Sequence, residues 1–131
     1  MSKLNRPTMK KNPLETLYTG PSRRICGLIE NGNCAIKTFI ENLQSSDEKK
    51  VVALLKKAAS HWPINNRQKF KLLEDGIFEF KSYQIRIFCF LHAGNLIILT
   101  HGRSDKKKND LDPEDLRRAK RLRDYFYKEI S

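Results

Sequence analysis

The side chains best able to do chemistry in this chain are cations gathered at the ends of strand-like segments: Lys81, Arg86, His101, Arg103 and the run Lys106, Lys107, Lys108. No Gly-rich phosphate loop, H-E-x-x-H, G-x-S-x-G or paired-carboxylate motif accompanies them. A cluster of this composition suits a phosphodiester. Cleavage of RNA by its own 2′-hydroxyl needs a base for that hydroxyl, positive charge for the crowded phosphorane and an acid for the leaving oxygen. A lysine serves as base only where desolvation or neighbouring cations depress its pKa, whereas a histidine titrates near neutrality unaided.

Each of these residues also has a structural reading. Arg86 stands between Ile85 and Ile87 in an apolar strand, where a cation needs a partner, and Glu79 or Asp75 can supply one. His101, at a strand end before Gly102, is as often a satisfied structural residue as an acid–base group. A solvated loop is the default reading of Lys106 to Lys108. Phe88 and Phe90 read as helix-packing core, while Trp62 and Tyr83 are aromatics able to stack on a base if exposed.

The elements that must position these groups follow from hydrophobic spacing. Residues 1–22, with Pro7, Pro13 and a Gly20-Pro21 turn signal, read as a basic extension, leaving 23–131 as the domain. Arg23 to Ile29 suits a first strand closed by the turn Asn31-Gly32-Asn33. Apolar Ile36, Phe39, Ile40 and Leu43 mark one helix face, and Ser45 with Glu48 has capping-box spacing before a second helix. Three strands are then expected at Ile77 to Lys81, Tyr83 to His92 and Asn95 to Gly102, with turns at Asp75-Gly76 and Ala93-Gly94. In the middle strand Tyr83, Ile85, Ile87, Cys89 and Leu91 take one face, and Arg86, Phe88 and Phe90 the other. Asp112 as N-cap and Pro113 at the first position open a final helix with Leu116, Ala119, Leu122, Phe126 and Ile130 inward. The expected fold is α+β: a small antiparallel sheet covered on one face by helices, with an N-terminal helical hairpin and a C-terminal helix.

Composition narrows the class. The chain has 131 residues and a formal net charge of +11, the size of one domain, and the charge points to a polyanionic partner: nucleic acid, an anionic membrane surface or an acidic protein. No apolar run approaches the roughly 18 residues of a membrane span, and the basic start lacks a secretory signal's apolar stretch. Three cysteines without CxxC spacing read as reduced thiols in a cytoplasmic protein, with neither disulfide framework nor metal site expected.

The run FKLLEDGIFEFKSYQIRIFCFLHAGNLIILTHG, followed by KKNDLDPEDLRRAKR, resembles the RelE/ParE toxin superfamily, and most closely its phage-derived HigB-like branch. The shared features are the Leu-rich approach to Asp75-Gly76-Ile77, the triplet Glu79-Phe80-Lys81, Tyr83 ahead of Arg86 in an aromatic strand, and His101-Gly102 with a lysine pair before Pro113. Element order is similar from Arg23 to Lys128, and motif-level identity is confined to residues 70–123. The resemblance implies a toxin of a type II toxin–antitoxin system that cleaves mRNA in the ribosomal A site without a cofactor. Its implied partners are the ribosome, mRNA and a cognate antitoxin, often a helix-turn-helix protein. It implies that Arg86 contacts the scissile phosphate, that Lys81 is the basic residue closing its strand, and that Lys107 and Lys108 grip RNA; Arg103 and Lys106, from their charge and place, are expected to bind RNA beside them. Arg103 stands where relatives carry an aromatic, and the loop before Pro113 is longer. A non-catalytic member, such as a gyrase-poisoning ParE-like toxin or an inert binding protein, is the alternative.

Overall fold

The computed structural model describes residues 12–104 and 111–131. Six strands form one sheet: β1 Leu14–Thr19, β2 Arg24–Leu28, β3 Phe70–Glu74, β4 Ile77–Ser82, β5 Ile85–His92 and β6 Leu96–Ser104. Three helices accompany them: α1 Ala35–Glu41, α2 Ser45–Ser60 and α3 Pro113–Ile130. The strand order is β1-β2-β6-β5-β4-β3, with β2 and β6 parallel and every other pair antiparallel.

This corrects the expected architecture. The fold is α+β, but the sheet is six-stranded and mixed, and the chain opens with strands rather than a helical hairpin. Leu14–Thr19, within the stretch read as an extension, is edge strand β1 and pairs with β2. Its residues are half-buried to exposed, so it lacks the apolar run that marks an interior strand. Phe70–Glu74 escaped notice for the same reason, since Lys71, Leu72 and Glu74 are exposed on the opposite edge.

Both sheet faces are covered. Ile25, Ile87, Cys89, Ile97 and Leu99 pack with Ile36, Ile40, Leu55 and Ala58 of α1 and α2. Phe88, Phe90, Ile77 and Ile98 pack on the other face with Ala119, Leu122 and Phe126 of α3. An internal strand lying between two helical layers must be apolar on both faces, and Ile85–His92 meets that demand except at Arg86 and at His92, half-buried at the strand end.

The local signals act as their chemistry requires. Asp75 and Gly76 both take positive φ in the two-residue turn between β3 and β4, the backbone for which Asp-Gly is the preferred pair. Asp112 accepts a hydrogen bond from the Glu114 amide at 2.9 Å and caps α3, with Pro113 just inside. The Ser45–Glu48 box does not form. Gln44 is the N-cap of α2, and its side chain makes no cap bond.

One irregularity positions the site. Phe88 pairs with His101 but Cys89 pairs with Leu99, so Thr100 is an extra residue in β6, a β-bulge. It shifts the alternation by one. His101 and Arg103 thereby face α3, on the side of Arg86 and Phe88, while Gly102 lies against the Phe39 ring on the α1–α2 side.

Candidate functional site

Beyond the apolar patch beneath α3, the same sheet face turns charged. The Lys81 amide donates to Lys69 O at 2.8 Å, Lys81 pairs with Arg86, and Arg86 pairs with Arg103. Four cations thus stand in register across β6, β5, β4 and the approach to β3, a row about 14 Å long at the usual interstrand spacing. The adjacent row reads Lys71, Glu79, Phe88, His101. A cleft of about 530 Å³ opens on this face, lined by Arg67, Lys69, Lys71, Glu79, Lys81 and Tyr83 among others.

Arg86 is 3% exposed and donates from Nη1 to Glu79 Oε2 at 2.9 Å, Glu79 itself being 1% exposed. Of the two partners expected for it, Glu79 is the one used here. Asp75 instead pairs with Arg123 of α3 at 3.0 Å, and that contact holds its carboxyl below the usual range. Arg103 is gripped by two carboxylates of the α3 N-terminal turn, through Nε to Asp115 and through Nη2 to Asp112 at 3.0 Å. Those carboxylates also sit at the positive end of the helix.

His101 is buried. Its ring stacks on Phe88 with centroids 4.7 Å apart, Nε2 meets Asp115 Oδ1 at 3.2 Å and Nδ1 meets Thr100 Oγ at 3.1 Å. Burial pushes its pKa down to about 4 against the opposing Asp115 bond, so the ring is neutral at pH 7. Nε2–H donates to the carboxylate, and the Thr100 hydroxyl, which donates to Phe88 O at 3.1 Å, sits against Nδ1. The arrangement ties β6 to the start of α3, as the structural reading of His101 anticipates.

This burial makes stability depend on pH. The unfolded chain binds a proton on His101 near pH 6.5 and the folded chain only near 4, so the contribution is complete above pH 6.5 and is lost as pH falls through that window. The loss is on the order of 3 kcal/mol by pH 4. Urea unfolding between pH 7 and 4 should show this fall, and His101→Gln should flatten it. An equally steep profile in the variant would assign the effect to other groups.

The structure therefore brings Lys81, Arg86, His101 and Arg103 to one face, with Arg86 and His101 both beneath the surface. Lys106, Lys107 and Lys108 lie outside the described residues. Trp62 is engaged edge-on by Phe70 at 5.0 Å and lies beneath the Arg23 guanidinium at 5.1 Å, whereas Tyr83 is exposed. Sequence reasoning missed Arg67, Lys69 and Lys71. The Lys-x-Lys alternation at 69 and 71, facing Glu79-x-Lys81 across the Asp75-Gly76 turn, was the signal that locates them.

Residues 38–124 match the family model described as Phage derived protein Gp49-like (DUF891). The chain belongs to this family, a RelE/toxin-like family associated with the toxins of toxin–antitoxin systems. No curated protein matches it. Among the described residues no helix is long and apolar enough to cross a membrane.

Proposed function

We propose that the protein is the toxin of a type II toxin–antitoxin system and acts as a ribosome-dependent endoribonuclease, cleaving mRNA in the A site. The supporting observation is the register of Lys69, Lys81, Arg86 and Arg103 on one sheet face of a RelE/toxin-like chain. Like charges directly opposite one another in neighbouring strands are unfavourable by themselves. A row of them is complementary to a strand of phosphates. In this reading Arg86, fixed by Glu79, is the cation that stabilises the phosphorane. Lys81, beside it and lining the cleft, is base or charge stabiliser, while Arg103 and Lys106 to Lys108 hold the RNA backbone. His101 acts by holding β6 and α3 together. The partner that restrains the toxin is an antitoxin, of helix-turn-helix type.

The test is induction in growing cells with mapping of new mRNA 5′ ends against translated codons. Ends in register with codons are expected, and Lys81→Ala should lower their frequency by about 10²-fold, the smaller end of what a positioned base contributes. Gyrase-dependent DNA damage without codon-phased ends would replace this reading with a ParE-like one.

A further inference from the structure

We propose that Tyr83 is the stacking platform for one nucleobase of the bound RNA, an inference that rests on the ribonuclease reading above. Among the described large apolar side chains Tyr83 is the most exposed, at 69%. It occupies a two-residue turn, Tyr83-Gln84, between β4 and β5, two positions after Lys81 and three before Arg86. Its ring lines the cleft whose other walls include Arg67, Lys69, Lys71 and Lys81. A cleft of about 530 Å³ accommodates a nucleotide, and an aromatic amid cations is the combination that binds single-stranded nucleic acid.

Two further observations set this tyrosine apart. Its φ is +56°, a left-handed conformation that a bulky side chain adopts at a cost. The other described non-glycine residues with positive φ are Asn31 and Asp75, whose short polar side chains tolerate it. Glycine would serve the backbone of this turn better, so backbone geometry does not explain the ring. The ring is also held in place: Lys50 Nζ of α2 lies 4.2 Å from its centroid, covering one face with an ammonium. A base takes the opposite face. The row of cations fixes the phosphates and Tyr83 fixes a base, which gives the site a nucleotide preference that a row of charges alone lacks. Purines, with the larger stacking face, are the bases favoured.

The experiment compares wild type, Tyr83→Phe and Tyr83→Gly, all as full chains, in binding a non-cleavable 2′-O-methyl single-stranded RNA. The same strand with one base at a time replaced by an abasic residue serves as the second variable, and thermal unfolding is followed in parallel. Tyr83→Gly should melt higher than wild type, because it relieves the positive-φ strain, yet bind the intact strand about tenfold more weakly, the order of one lost base–aromatic stack. Tyr83→Phe should bind as wild type does. One abasic position should weaken wild type to the level of Tyr83→Gly and leave Tyr83→Gly unaffected. Equal affinity of wild type and Tyr83→Gly for the intact strand would overturn the stacking role while leaving the ribonuclease reading standing. A lower melting temperature in Tyr83→Gly would show that the ring serves the fold, and would equally overturn it. Codon-phased ends without binding of wild type to the free strand would overturn the stacking role alone, whereas absence of codon-phased ends would remove the ribonuclease reading and the stacking role with it.

Discussion

Arg86→Ala should abolish growth inhibition and lower stability by about 3–5 kcal/mol, because it leaves the Glu79 carboxylate buried without its cation. The two residues are 3% and 1% exposed and 2.9 Å apart, so neither charge has water to fall back on. A loss of toxicity in Arg86→Ala alone is therefore ambiguous, since the fold suffers too. The informative variant replaces both partners: Glu79→Leu with Arg86→Met removes two charges and keeps similar volume. Exchanging a buried ion pair for well-packed apolar residues is often neutral or stabilising, so this double variant should regain most of the stability lost in Arg86→Ala. It should remain non-toxic. Urea unfolding and growth on induction separate the two effects. A stable double variant that still arrests growth would show that Arg86 serves the fold and does not act on the phosphate.

How that pair arises shows what the sequence makes legible. An arginine inside an apolar strand announces a partner, and the E-x-K triplet on the preceding strand offers one because the Asp75-Gly76 and Tyr83-Gln84 turns fold β3, β4 and β5 back on one another. The interior strands, the Asp112 cap and the inward Ala119, Leu122 and Phe126 of α3 follow from period and cap chemistry, which act over a few residues, whereas Ile130, expected inward, is exposed at the helix end. The edges did not. β1 and β3 bury only part of their surface, so the alternation that identifies a strand is diluted by exposed side chains. The parallel pairing of β2 with β6 joins segments about 70 residues apart, and nothing in either segment encodes it.

The cations of the candidate site were legible as residue types, but their arrangement was not. Simple alternation along β6 places Ile98, Thr100 and Gly102 on one face and Leu99, His101 and Arg103 on the other. The bulge at Thr100 reverses this for the last residues and brings Arg103 beside Arg86. A bulge answers to the backbone of the neighbouring strand, which a reading along one strand cannot see. His101 shows the same limit. Its residue type suggested an acid–base group, and only the packing against Phe88 and Asp115 reveals a neutral, buried ring. The chemistry left on the accessible face is that of lysine and arginine.

From that chemistry follows the largest effect expected of this protein. An RNA-cleaving site whose histidine is neutral and buried lacks a neutral-pH acid–base pair among its described residues, and must gain rate by holding charge and geometry. Aligning a 2′-hydroxyl with its phosphate is a matter of orientation, and well-oriented intramolecular reactions gain effective molarities of roughly 10⁵ M or more. In the proposed reading that alignment comes from the ribosome, which already fixes the mRNA in its A site. Cleavage of one mRNA should therefore be at least about 10³-fold faster on programmed ribosomes than free in solution, a fraction of what full alignment offers. His101→Ala should lower the melting temperature, through the cavity beside Phe88 and the lost Asp115 bond, while single-turnover cleavage on ribosomes, measured well below that temperature, stays within a few-fold of wild type. Comparable rates with and without ribosomes, both lost in a folded His101→Ala, would instead make His101 the acid–base group of a stand-alone ribonuclease.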